Sequence, residues 1–135
     1  MSTKCMYRVS AKALIKKKQK RLLLAEEKGG GGFELPGGGI ELGETPQTAL
    51  MRELKEELNL IPNYIAESPT FIWFINGEVV WLVYEVKVIQ NAKVNTQEHI
   101  ASAGYFDIEE LLGKKSHGLG YCCTMHFEKL QKYLD

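Results

Sequence analysis

The rhythm of apolar and polar residues changes several times along the chain, and each change predicts an element. From Tyr7 to Ile15 small and apolar residues dominate, Lys16-Lys17-Lys18-Gln19-Lys20-Arg21 interrupts them, and Leu22-Leu23-Leu24 resumes the pattern. This predicts two strands joined by a basic turn, with the cations at a solvated hairpin tip. The four glycines from Gly29 to Gly32 are too permissive to hold one conformation unaided and read as a mobile loop. A helix is predicted to begin at Thr45, a good N-cap, with Pro46 in the first helical position where its missing N–H costs nothing. Leu50, Leu54 and Leu58 recur every fourth residue to form its buried stripe, and Asn59 followed by Pro62 ends it. Phe71 to Ile75, Asn76-Gly77 and Glu78 to Tyr84 form a hairpin signal with a two-residue turn. That turn would set Trp73 near Val80 on one face and Ile72 near Trp81 on the other. A short strand near Gly104-Tyr105-Phe106 leads to Asp107, with Glu110 three residues on, as in a capping box. Cys123, Phe127, Leu130 and Leu134 fall at helical intervals and predict a closing amphipathic helix. Hairpins dominate, so the expected class is mixed α/β without parallel βαβ winding.

Composition narrows the picture. With 135 residues and 44% of them hydrophobic, the chain is expected to form one compact domain over residues 1–135. Seventeen Lys and Arg balance 17 Asp and Glu, so general attraction to nucleic acid or to an anionic membrane cannot be its basis. An anionic ligand must be held by local devices. The apolar runs Phe71–Ile75 and Val79–Tyr84 are strand length and far short of the roughly 20 residues of a membrane span. No apolar segment follows the charged N-terminus, which predicts a cytoplasmic protein without a signal peptide. Cys5, Cys122 and Cys123 suit reduced thiols. His126 lies close enough in sequence to the cysteine pair to raise a metal site, but the C-x-x-C spacing of zinc sites is missing and core filling explains the thiols. No Gly-Lys-Ser/Thr follows the glycine run, so it is not a P-loop.

The chemistry gathers in Gly38 to Leu60. Glu53, Glu56 and Glu57 stand at i, i+3 and i+4, which puts three carboxylates on one helix face within a turn. Like charges so placed repel, and a cation should answer them. An oxygen-only donor set selects hard ions, Mg²⁺ above all, with Mn²⁺ as a substitute. Arg52, one turn before Glu56, can orient a carboxylate through charge-assisted hydrogen bonds.

The spacing of this segment resembles the Nudix box: Gly38, five residues, Glu44, seven residues, Arg52-Glu53, the aliphatic Leu54, one residue, Glu56-Glu57, and then the aliphatic Leu60. At ordinary residue frequencies this pattern arises by chance roughly once in 10⁶ chains of this size. One departure is Asn59, where the family has Gly; Asn also tolerates the left-handed conformation. Glu34-Leu35-Pro36-Gly37 is similar to the family's approach to the box, and Glu98 through Leu111 to its later acidic residue, aromatic strand and short helix, with Tyr105 where Trp is usual.

The resemblance, to the MutT-like Nudix hydrolases, implies a mixed β-sheet sandwiched between helices. It implies hydrolysis of a nucleoside diphosphate linked to another moiety, by attack of water on one phosphorus. On the same ground Glu53, Glu56, Glu57 and the Gly37 carbonyl become metal ligands, with Glu53 the candidate base. Arg52 then orients the carboxylates, Glu44 supports the loop or an outer-shell water, and Glu98 is a further ligand or the base. Many MutT-like members carry a basic residue after the second strand. Ala25-Glu26-Glu27 stands there instead, with Lys28 the nearest cation, so the oxidised-purine preference does not carry over directly. The Pro or Tyr that follows the box in ADP-ribose or dinucleoside polyphosphate subfamilies is absent at Ile75 to Glu78. A nucleoside triphosphate is the leading substrate class, with no stable nucleic-acid partner and a homodimer allowed. The alternative is a noncatalytic Nudix-like module that binds a nucleotide or a protein.

Overall fold

The computed structural model describes residues 3–135, and among them no helix is long and apolar enough to cross a membrane. Two sheets form the centre. In the first, β1 (Arg8–Leu14) lies between β5 (Gly37–Gly39) and β8 (Val79–Lys87), and the far edge of β8 carries β6 (Tyr64–Ile65) and β7 (Phe71–Ile75). The second joins β2 (Lys16–Lys17), β3 (Arg21–Glu27), β4 (Phe33–Glu34) and β9 (Ile100–Phe106), with β9 along β3. Helix α1 (Pro46–Leu58) packs on one side; α2 (Ile108–Leu111), α3 (Tyr121–Met125) and α4 (Phe127–Leu134) pack on the other. The mixed α/β class expected from the pattern is the class observed.

The apolar run of β3 explains the layering. Leu22 and Leu24 enter the core beneath α2 to α4, while Leu23 and Ala25 enter the core beneath α1. A strand buried on both faces reads as a continuous hydrophobic run. For the same reason the simple hairpin expected from Tyr7 to Leu24 does not form. The chain leaves the first sheet at Ile15, and only Lys16 and Lys17 pair back, against Leu22 and Arg21. Strand β1, with Ala11 and Ala13 fully buried, needs a neighbour on each edge. It finds β5 antiparallel and β8 parallel, from Arg8 opposite Val79 to Leu14 opposite Glu85, a parallel pairing that the hairpin signals did not predict.

The Asn76-Gly77 hairpin forms, but in another register. Trp73 faces Trp81 and Ile72 faces Leu82, rather than Val80 and Trp81. Asn76 and Gly77 take positive φ and Glu78 N donates to Ile75 O at 3.1 Å, yet the ladder resumes at Val79 opposite Ile75. Glu78 is left as an extra residue, and its carbonyl accepts from Arg8 N at 2.9 Å. A slip of one residue exchanges faces. Here it buries both tryptophans together, with ring centroids 6.2 Å apart.

Helix α1 begins as expected: Thr45 Oγ1 accepts from Thr48 N and Thr48 Oγ1 from Thr45 N, a reciprocal cap. Leu50, Leu54 and Leu58 are fully buried, each contributing about 1.5–3 kcal/mol. Asn59 closes the helix at φ 54°, ψ 35°. Asp107 caps α2 by accepting from Glu109 N. The closing helix is broken in two at His126 (φ −109°, ψ 23°), whose ring stacks on Trp73 at 4.2 Å. Cys123 is fully buried in the core, as expected of core filling, and Cys5, Cys122 and Cys123 are free thiols.

Candidate functional site

The end of the first sheet, the loop before α1 and the exposed flank of α1 meet at Arg52. Its guanidinium clasps Glu44 with two bonds, Nε to Oε2 and Nη2 to Oε1, both 2.8 Å. Nη1 donates to Glu53 Oε1 at 3.0 Å, and Nη2 to the Gly39 carbonyl at 3.1 Å. Glu56 Oε2 lies 3.6 Å away. The clasp and the Glu41 N–H, which donates to Glu44 Oε1, hold the Glu44 carboxyl down to about 2, so it stays ionised at neutral pH. Glu44 thereby ties the loop to the helix. Two glycines permit this closeness. A Cβ on Gly38 would stand 2.6 Å from the Glu53 carboxyl carbon, and one on Gly37, at φ +129°, would meet Ala11 O at 2.1 Å.

The three α1 carboxylates divide by exposure. Glu56 is exposed, Glu53 is mostly covered, and Glu57, three residues after Leu54 on the flank of the leucine stripe, is only 2% exposed. Glu57 Oε2 accepts no hydrogen bond, although His99 Nε2 lies 2.9 Å from it. Burial, then the charges of Glu53, Glu27 and Glu98, pushes its carboxyl up to about 8, against the opposing pull of Lys12. A carboxyl buried among other acids, with no hydrogen bond on Oε2, favours a cation beside it. Oxygen donors of this kind fit a hard divalent ion, which is the donor chemistry expected from the sequence. Among the described residues no three His, Cys, Asp or Glu side chains already converge as a closed metal cage. Glu53 is instead held by Arg52, while His99 Nε2 stands 2.9 Å from Glu57 Oε2 without hydrogen-bond geometry.

Glu98 lies in the loop before β9, half-buried and close enough for its charge to act on Glu57. The loop is docked on the C-terminal end of α1. Asn95 N donates to Glu57 O at 2.9 Å and Asn95 Nδ2 to Glu56 O at 3.0 Å, while Lys28 Nζ reaches Thr96 O at 2.8 Å. Asn59 adds to this dock, donating from Nδ2 to Lys93 O at 2.8 Å, a contact that the comparison with glycine did not anticipate.

A cleft of about 260 Å³ opens beside Glu57, walled by Glu27, Glu34, Leu35, Trp81 and Ile100 and edged by Gly30 to Gly32. Gly37 also lines it, but its carbonyl accepts from Lys12 Nζ at 3.3 Å. Lys12, Asn95 and His99 had no role assigned from sequence, and Glu27 was noted only as part of Ala25-Glu26-Glu27. For Lys12 a signal existed, a lone cation amid Val9-Ser10-Ala11-Lys12-Ala13-Leu14 in a buried strand. For Asn95 and Glu27 none did, since their roles depend on which loops meet α1.

The loop clasped to a helix whose flank bears a buried acid reproduces in space the spacing seen in sequence. Residues 6–121 match the NUDIX domain, and the chain belongs to that family. Among its relatives, an ADP-ribose pyrophosphatase of Methanocaldococcus jannaschii is 34% identical over 84 residues, 58% of this chain and 48% of that protein. The 8-oxo-dGTP diphosphatase of Escherichia coli is 52% identical over 33 residues, 24% of this chain and 26% of that one. The chain therefore aligns with about half or less of these curated relatives. In structure it is similar to a MutT NUDIX hydrolase from Burkholderia pseudomallei, at 25% identity and a TM-score of 0.73, covering 91% of this chain and 97% of the other.

Proposed function

We propose that residues 1–135 act as one Mg²⁺-dependent pyrophosphohydrolase domain that splits the pyrophosphate of a nucleoside diphosphate linked to another moiety. A nucleoside triphosphate is the leading substrate class, and Mn²⁺ can replace Mg²⁺. The observation that carries this reading is Glu57, buried among Glu53, Glu27 and Glu98 with no hydrogen bond on Oε2 and His99 Nε2 2.9 Å away. Two relatives whose names describe cleavage of such linkages support it.

Glu53, Glu56, Glu57 and the Gly37 carbonyl would hold the metal, with Glu98 as a further ligand or the base. Bound there, Mg²⁺ supplies charge neutralisation of the phosphates and activation of water, the main requirements of displacement at phosphorus. The protein supplies position. Arg52 fixes the Glu53 carboxylate by its 3.0 Å bond and is itself fixed by Glu44, so the candidate base is oriented before substrate arrives. Leu35, Trp81 and Ile100 give the cleft apolar walls suited to part of a nucleoside.

The test is a panel of nucleoside triphosphates, ADP-ribose, dinucleoside polyphosphates and nucleotide sugars with Mg²⁺, read as phosphate released after added phosphatase or pyrophosphatase. Turnover that stops on complete chelation and is highest for a nucleoside triphosphate is expected. Binding of nucleotides with no cleavage of any would overturn the enzymatic reading in favour of a noncatalytic module.

A further inference from the structure

Among the described residues lining the cleft, Lys12 is the one cation, facing Glu27, Glu34 and Glu57. Its ammonium is held in a cradle built for positive charge. Nζ donates to Leu35 O at 3.2 Å and to Gly37 O at 3.3 Å, and it stands 4.5 Å from the centre of the Trp81 ring. Carbonyl oxygens and an aromatic face attract any cation, and neither requires an ammonium in particular. One of those carbonyls, on Gly37, belongs to the proposed metal site, and the Lys12 charge is felt at Glu57, the other end of that site.

We propose that Lys12 is a tethered stand-in for the divalent ion: its ammonium occupies the carbonyl cradle while the cleft is metal-free, and the metal must displace it from Gly37. This rests on the metal reading given above. A second cation a few ångströms from the ammonium is repelled by it, and the repulsion is weakly screened in a half-buried cleft. The flexible four-carbon stem of lysine lets the ammonium leave without disturbing β1. Released from the carbonyls, it remains within the cleft, where an anionic substrate would meet it. The site thus keeps partial charge balance in both states, and its metal affinity is set by competition with its own lysine.

The test is Mn²⁺ binding without nucleotide, followed by water-proton relaxation on the full chain. Lys12→Met and Lys12→Gln should each tighten Mn²⁺ by about tenfold, Lys12→Arg should stay within about threefold of wild type, and Glu57→Gln should weaken it. Gln can still donate to a carbonyl, which guards against loss of folding in the Met variant, and thermal melting in chelator verifies that each protein is folded. Wild-type or weaker Mn²⁺ affinity in both neutral variants, with the loss in Glu57→Gln preserved, overturns the stand-in role and leaves the metal site intact. No Mn²⁺ binding by wild type and by both neutral variants overturns the metal reading itself.

Discussion

Replacing Gly38 by Ala tests how closely the loop and helix of the site are fitted. Gly38 has no positive φ, so its backbone accepts Ala without strain. The new Cβ, however, would stand 2.6 Å from Cδ and Oε1 of Glu53 and 2.9 Å from Oε2. Ordinary contact needs roughly 3.4–4 Å, so the carboxylate must retreat by about 1 Å. It sits at the end of a flexible side chain, and the cost in stability should stay under about 1 kcal/mol. The same retreat breaks the 3.0 Å bond from Arg52 Nη1, which orients Glu53. Misplacement of a reacting group by about 1 Å costs about 10²-fold in rate, equal to about 2.7 kcal/mol of barrier. Two neighbours calibrate the result. Gly39, with nothing within 4 Å of its Cβ position, should accept Ala with near-wild-type behaviour. Gly37→Ala should unfold the protein, because it combines φ +129° with a 2.1 Å clash on Ala11 O. The assay is kcat/KM with Mg²⁺ on the best substrate of the panel, together with thermal melting. Activity in Gly38→Ala within threefold of Gly39→Ala, or a fall in Tm as large as that of Gly37→Ala, would refute the reasoning.

Glu57→Gln keeps the shape of α1 and removes a proposed ligand charge, so kcat should fall by at least about 10²-fold; turnover within threefold of wild type would contradict its assignment. Glu98→Gln should lower kcat more than about tenfold with Tm nearly unchanged, and unaltered kinetics would remove Glu98 from the site. Asn59→Gly keeps the left-handed helix end but loses the 2.8 Å bond to Lys93 O, for a cost of about 1 kcal/mol in denaturant melts; a neutral result would mean that this bond contributes nothing to stability. Burial, followed by the charge of Glu34, pushes the Cys122 thiol up to about 12, so the reactive thiolate form is suppressed as pH rises through 8 and 9. Iodoacetamide at pH 8 should therefore label exposed Cys5 well before Cys122, as read by peptide mass mapping, and equal rates would contradict the burial argument.

The sequence by itself determined what depends on near neighbours. The cap at Thr45, the stripe of Leu50, Leu54 and Leu58, the left-handed stop at Asn59 and the grouping of Glu53, Glu56 and Glu57 follow from spacing along one helix, and the family was legible in the same residues. The register of the Trp73 and Trp81 strands was not legible. The Asn-Gly turn is satisfied by either pairing, and burial of both tryptophans together decides for the one with Glu78 set aside. Nor could the run from Tyr7 to Leu24 show that it divides between two sheets, because a strand's need for cover on both faces is met by elements distant in the chain. The same limit separates the three glutamates. Equivalent in helical spacing, they become one exposed, one clasped by Arg52 and one buried only when β1, the Asn95 loop and the cleft close around α1. Lys12 completes that difference, since a cation from a different strand reaches Gly37 only after β1 and β5 pair. Local spacing chose the chemical groups, and long-range packing set the distinct charge environment of each.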